Sequence, residues 1–245
     1  MNDKVTPPLK PRSDLGIRTL SGVAMMSVAI AAIWLGGYTF MGLVIAIGLG
    51  VFFEFTKLVF GFAQSRQAQM LWLLVGLTYV GLACFTLMLF SAPFFGMTPA
   101  IMLIAGVIGT DVGAYFAGRS LGGPKIAPHI SPSKTWSGLI GGMIGAGLMM
   151  VFIQAGIYAF RGGNSGDGDV YLAYGWFRLM LTGAALAVVA QMGDFFESWM
   201  KRRAGVKDSG RLIPGHGGLF DRTDGLIAVA FAAGVIMLFR SGTVG

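Results

Sequence analysis

The sequence predicts an all-α fold, a polytopic helical bundle of about seven transmembrane helices (range 7–9) with a cytoplasmic N-terminus. Three observations carry that prediction. Of the 245 residues, 55% are hydrophobic and 12% charged, about half the roughly 25% charge of soluble domains. Mean hydropathy is +0.72, and long apolar stretches alternate with short polar breaks, several reaching the roughly 20 residues that cross a hydrocarbon core. Basic residues are also partitioned. With the N-terminus inside, the outer segments hold only Arg161, Arg178 and Arg240, and the other 15 of the 18 Lys and Arg fall inside, as the positive-inside rule requires.

Taken in order, residues 1–14, with Pro7, Pro8 and Pro11 among charges, predict a flexible cytoplasmic tail. An N-terminal membrane region over 15–100 holds expected spans near 20–36, 38–60 and 70–90. The first follows a tail with Asp3 and Asp14 and no small-residue cleavage site, so it reads as a retained helix. Cys84 is the lone cysteine, which excludes disulfide stapling. Glu54 is the only acid of these spans, and Lys57 three residues on suggests a local helix-surface pair.

The remainder, 101–245, is expected to be catalytic, with spans near 99–118, 136–160, 175–198 and 225–240 and cytoplasmic loops at 119–135 and 200–222. Gly109 to Gly113 and Gly141 to Gly145 form Gly-x-x-x-Gly runs, which serve helix contacts in bilayers. Residues 162–169 have neither the bidentate glutamate nor the spacing of a calcium loop, and read as a polar connector.

Chemistry concentrates at the inner ends of the later spans. Asp111 closes the fourth span, sharing a helix face with Tyr115 and Arg119. An ionised acid in a bilayer interior is costly unless paired or hydrated, and so marks function. Next come Gly122-Gly123-Pro124-Lys125 and Ser131-Pro132-Ser133-Lys134-Thr135. Backbone N–H groups, hydroxyls and ammonium groups of this kind suit phosphate, although the Walker A spacing is absent. His129 in the same loop has no assigned role. Asp194, Glu197, Ser198 and Lys201 then fall at i, i+3, i+4 and i+7, one stripe of one helix, which should face the bundle interior.

A dense polar loop follows: Lys207, Asp208, Gly210, Ile213-Pro214, His216-Gly217-Gly218, Asp221-Arg222 and Asp224. Asp221 and Asp224 share a face if the chain is helical there, and Asp194 could join them. Such hard oxygen ligands suit Mg²⁺ with substrate phosphates, whereas zinc would want Cys or paired His. The acids alone also allow an ion-coupled transporter, but that reading leaves the basic, glycine-rich loop unexplained.

The run from Ser198-Trp199-Met200-Lys201-Arg202 through Lys207-Asp208, Gly210, Ile213-Pro214 and His216-Gly217-Gly218 to Asp221-Arg222 and Asp224 resembles the phosphatidate cytidylyltransferase signature without departure. Gln191, Gly193, Asp194, Glu197 and the segment 131–135 are similar to that family too, so the resemblance covers about 105–230. It implies a bacterial inner-membrane enzyme of phospholipid synthesis that transfers CMP from CTP to phosphatidate. CDP-diacylglycerol and pyrophosphate would be the products.

The resemblance further implies that Asp194, Asp221 and Asp224 hold Mg²⁺, with room for a second cation such as K⁺, and that Lys134, Lys201, Arg202 and Lys207 meet phosphates. Arg222 joins the basic set facing pyrophosphate, and Asp111, Ser131 and Ser198 join the substrate-binding residues. Asp208 and His216 either orient the lysine or contact nucleotide. The expected partners are the two substrates and membrane lipid, with no nucleic acid, and the glycine faces allow a homodimer. The lipid half of such a site is less defined, so a CTP-dependent transferase acting on another lipid phosphate or alcohol is the alternative.

Overall fold

The computed structural model describes residues 15–160, 168–213 and 215–242. The tail expected at 1–14, residues 162–167 of the expected connector, and Pro214 lie outside the described residues. The chain runs α1 (Leu15–Leu35), α2 (Gly37–Phe62), α3 (Arg66–Phe90), α4 (Thr98–Ser120), β1 (Lys125–Ala127), β2 (Ser131–Thr135), α5 (Trp136–Phe160), α6 (Gly168–Arg203) and α7 (Phe220–Gly242). Each expected span coincides with one helix. Among the described residues six are long and apolar enough to cross a membrane, α2 to α7, which makes this a polytopic bundle. The apolar part of α1, Thr19–Leu35, is shorter.

Local sequence explains the boundaries. Gly36 breaks α1 from α2 at φ 60, a left-handed conformation that only glycine adopts cheaply. The Ser65 hydroxyl caps α3 by accepting the Ala68 N–H at 3.1 Å. Thr135 does the same for α5, accepting the Gly138 N–H at 3.1 Å. Two features depart from the expected layout. The basic loop after α4 folds into a β1–β2 antiparallel hairpin, pairing Lys125 with Thr135 and Ala127 with Ser131. In addition, α6 begins at Gly168, inside the expected connector, and continues to Arg203, past the apolar stretch that defined its span.

Packing relies on small residues. A Cβ on Gly109 would meet the Gly145 carbonyl at 2.6 Å, and one on Gly141 the Gly113 carbonyl at 2.6 Å. The two Gly-x-x-x-Gly runs are therefore each other's contact face, drawing α4 against α5. A second centre joins the N-terminal helices to the C-terminal ones. Phe55 of α2 and Phe220 of α7 are fully buried, 6.2 Å apart. Trp72 of α3 lies 5.6 Å from Trp199 of α6. Offset aromatic pairs of this kind add about 0.5–1.5 kcal/mol each beyond area burial.

Candidate active site

The C-terminal ends of α2, α4 and α6 and the N-terminal ends of α5 and α7 meet at one end of the bundle. The Lys134–Asp194 and Lys201–Asp221 ion pairs join β2, α6 and α7, Glu54 of α2 accepts the Phe220 N–H of α7, and Asp111 of α4 lines a cavity with Lys134. Two polar groupings stand there.

The first surrounds Asp194. β2 delivers the Lys134 ammonium onto the Asp194 carboxylate as an ion pair. A polar cavity of about 320 Å³ is lined by Asp111, Tyr115, Arg119, Ser133, Lys134, Thr135 and Gln191. A smaller recess continues it past Asp111, Lys134, Gln191 and Asp194 to Arg222 and Asp224. Asp224 accepts the adjacent Gly225 N–H at 2.8 Å. Gln191 is 5% exposed, and its carbonyl oxygen is buried without a partner among the described residues. An unsatisfied buried acceptor beside carboxylates is an expensive arrangement unless a ligand completes it.

The second grouping is centred on Lys201. Its ammonium lies 2.5 Å from Glu197 Oε2 and 2.7 Å from Asp221 Oδ1. The other oxygen of Asp221 accepts three hydrogen bonds: from the Ser209 N–H at 2.8 Å, the Ser209 hydroxyl at 2.9 Å and the Gly218 N–H at 2.9 Å. Gly217 makes that turn possible. Its φ is +85, and an added Cβ would sit 3.3 Å from Asp221 Oδ2. Asp221 therefore opens α7 as an anion surrounded by donors, where the helix dipole also favours it.

The expected convergence of Asp194, Asp221 and Asp224 is not assembled in this arrangement. No group of three acid, histidine or cysteine side chains lies close enough to hold a metal ion among the described residues. The reason is visible in the donors just described, because Lys201, Ser209 and Gly218 occupy both oxygens of Asp221. Asp194 and Asp224 share the recess with Asp111 and the orphaned Gln191 carbonyl instead. Two carboxylates and a carbonyl suit Mg²⁺ in kind, since it commonly uses one or two carboxylates and leaves its other positions to water and substrate phosphates. Asp194 would have to exchange its Lys134 partner for the ion.

Other expected residues are distributed around these two groupings. Ser131 is buried at the start of β2, while Ser133, Lys134 and Thr135 line the cavity. Ser198 is half-buried one turn beyond Asp194. Arg202 reaches back to the Ile130 carbonyl at 3.4 Å, tying the end of α6 to the hairpin. Lys207 and Asp208 are exposed in the loop between α6 and α7. His216 Nδ1 lies 2.8 Å from the Ser21 hydroxyl of α1, and its carbonyl accepts both Nε and an Nη of Arg222, at 3.1 and 2.8 Å.

The expected role of Glu54 is overturned too. Glu54 does not pair with Lys57 on a helix surface. It is fully buried, and the Lys57 ammonium sits 4.2 Å over the Phe53 ring instead. Glu54 Oε2 accepts the Ser209 hydroxyl at 2.9 Å and the Phe220 N–H at 2.8 Å. The available signal was an acid within an otherwise apolar span, which local spacing to Lys57 obscured.

The cytidylyltransferase family model matches residues 59–240. The chain is 35% identical over 272 aligned positions to a phosphatidate cytidylyltransferase of Brucella suis, covering 93% of each chain. The protein of that name in Brucella melitensis is equally similar. That of Rickettsia bellii is 34% identical over 222 positions, with 90% of each chain covered.

Proposed function

The chain belongs to the cytidylyltransferase family, and from that premise we infer that it transfers CMP from CTP to phosphatidate, giving CDP-diacylglycerol and pyrophosphate. It is a membrane-embedded nucleotidyltransferase. The observation that carries the reading is similarity to phosphatidate cytidylyltransferases along almost the whole chain, with the family model spanning the signature loop.

Phosphatidate presents a phosphate monoester, whose second pKa is about 6 by analogy with protein phosphates. Its oxygen is thus already anionic at neutral pH and can attack the α-phosphorus of CTP without a dedicated general base. The obstacle is bringing two polyanions together, so positioning and charge neutralisation carry the catalysis. The polar cavity, with Lys134 and Arg119 on its wall, suits the triphosphate. Of the cations at the loop, Lys207 is exposed and would meet the lipid phosphate or departing pyrophosphate. Lys201, Arg202 and Arg222 would join it on leaving the Glu197–Asp221 pair, the Ile130 carbonyl and the His216 carbonyl that they hold in this arrangement. Asp194 and Asp224 would hold Mg²⁺, with Asp111 and the Gln191 carbonyl beside them. Asp221 would enter that set only on release from Lys201. The ion would supply neutralisation of the CTP phosphates, and a monovalent cation such as K⁺ would add to it.

The bias of basic residues supports seven spans with the N-terminus and the site on the cytoplasmic face of a bacterial inner membrane. The Gly-x-x-x-Gly faces are used within the chain, so a homodimer would be built from other surfaces.

The test is incubation of the purified chain with CTP, Mg²⁺ and a panel of lipid phosphates while pyrophosphate is followed. Release dependent on phosphatidate, with CDP-diacylglycerol formed, is the expected outcome. Release only with a different lipid phosphate or alcohol would move the acceptor assignment.

A further inference from the structure

Glu54 is the feature of the polar end that the proposed chemistry leaves without a role. It comes from α2, outside the segment 59–240 that the family model matches. It is completely buried, yet 155 and 166 residues separate it from the groups it binds, Ser209 and Phe220. A buried carboxylate carries a large desolvation cost, which only specific donors offset. Its donors are the side chain of a loop residue and the first N–H of α7, one of the N–H groups a helix leaves without an internal partner.

The geometry ties this carboxylate to Asp221. The Ser209 hydroxyl is 2.9 Å from Glu54 Oε2 and 2.9 Å from Asp221 Oδ2, and it accepts the Asp221 N–H at 3.3 Å. A hydroxyl carries a single proton, so the two carboxylates share one donor. Glu54 therefore fixes where Ser209 stands, and Ser209 fixes the Asp221 carboxylate that Lys201 also holds. Glycines 210 and 218 pack directly against the Glu54 carboxyl group, leaving no room for a side chain at either position. Two glycines of the signature loop thus have a spatial reason in a residue of a different helix. Phe55, the next residue, is fully buried against Phe220 and Phe196, which anchors this part of α2 to α6 and α7.

We propose that Glu54 is a positioning residue for CMP transfer: through Ser209 and the Phe220 N–H it sets the placement of Asp221 and of the loop 209–220. The proposal rests on the reading of that loop as part of the catalytic site.

The test compares Glu54→Ala, Glu54→Gln and Asp221→Asn in the purified full chain, measuring kcat and both KM values per folded molecule, together with thermal unfolding. Glu54→Ala should lower kcat by about 10²-fold, the scale of a misplacement near 1 Å, and leave KM for phosphatidate unchanged. Glu54→Gln, whose carbonyl can still accept both hydrogen bonds, should recover most of that kcat. Should Glu54→Ala fail to fold, Glu54→Gln and Ser209→Ala carry the comparison, Ser209→Ala giving the same kcat-specific loss. Glu54→Ala that is folded and of wild-type kcat overturns the proposal. So does a loss confined to thermal stability with kcat per folded molecule intact. Asp221→Asn separates the two layers: if it too turns over like the wild type, the reading of the loop as catalytic is what fails.

Discussion

The Lys201 ammonium lies 2.7 Å from Asp221 Oδ1, joining the last turn of α6 to the first turn of α7 across the loop between them. The same nitrogen is 2.5 Å from Glu197, which is 1% exposed. One cation thus compensates two carboxylates, and the loop carrying Lys207, Asp208 and His216 is closed by that contact.

Removing Lys201 should therefore act on both stability and rate. Taking one partner from a buried pair costs about 3–5 kcal/mol. The low end applies here, since the Lys201 side chain is 16% exposed. Lys201→Met is expected to lower the unfolding temperature and abolish CDP-diacylglycerol formation. Adding Glu197→Gln should recover part of the stability, because it removes one uncompensated charge, and none of the activity. Thermal unfolding beside a product assay checks both halves. Full recovery of activity in the double variant would show that Lys201 is only structural.

Asp194→Asn and Asp224→Asn should each reduce kcat by about 10²–10³-fold, the scale of losing one preorganised electrostatic contact, with the chain still folded. Both residues face the recess next to the orphaned Gln191 carbonyl, so the asparagine amide loses charge without losing shape. Asp221→Asn should be equally inactive but less stable, because Lys201 and three further donors converge on it. Folded Asp194→Asn or Asp224→Asn with wild-type turnover would remove the metal role assigned to that pair.

Chelation should stop the reaction, and added Mg²⁺ should restore it. The variants sharpen this expectation. Asp194→Asn should require a higher Mg²⁺ concentration for its residual activity, whereas Lys207→Met should leave that requirement unchanged, since Lys207 is exposed in the loop. Titration of activity and of Mn²⁺ binding against metal concentration distinguishes the two. Equal metal dependence in wild type and Asp194→Asn would count against Asp194 as a ligand.

Helix positions were legible in the sequence because each depends on a local property, a run of apolar residues interrupted by glycine, proline or charge. The pairing of Gly109 and Gly113 with Gly141 and Gly145 was half legible: spacing marks each face as a contact but does not say which faces meet. The signature loop was legible as chemistry. Its internal geometry was not, because Asp221 is oriented by Ser209, Gly218 and Lys201 rather than by helical spacing to Asp224. Glu54 was misread for a related reason. Its partners lie more than 150 residues away, while the visible neighbour, Lys57, lies only three residues along. Spacing predicts pairs within a helix and is blind to a carboxylate that caps another.

The α4–α5 contact makes a prediction about activity as well as stability. Gly109 and Gly113 flank Asp111 on α4, and β2, which carries Lys134, leads directly into α5. The close approach of these two helices is thus what sets Asp111 beside Lys134 on the cavity wall. A Cβ on Gly109 would lie 2.6 Å from the Gly145 carbonyl and 2.8 Å from Met149 Cβ, too near for either to be tolerated without movement. Overpacking of this kind costs about 1–3 kcal/mol, and the backbone contact leaves no flexible side chain to give way. Gly109→Val should push α4 from α5, lower the unfolding temperature and raise KM for CTP in the molecules that remain folded. Gly156→Ala, on the partner helix α5, is the comparison, since nothing lies within 4 Å of an added Cβ there. Alanine is also the better helix former by about 1 kcal/mol, so that variant should be neutral or slightly stabilising. A KM for CTP that stays at the wild-type value in destabilised Gly109→Val would separate helix packing from the cavity and place the triphosphate elsewhere.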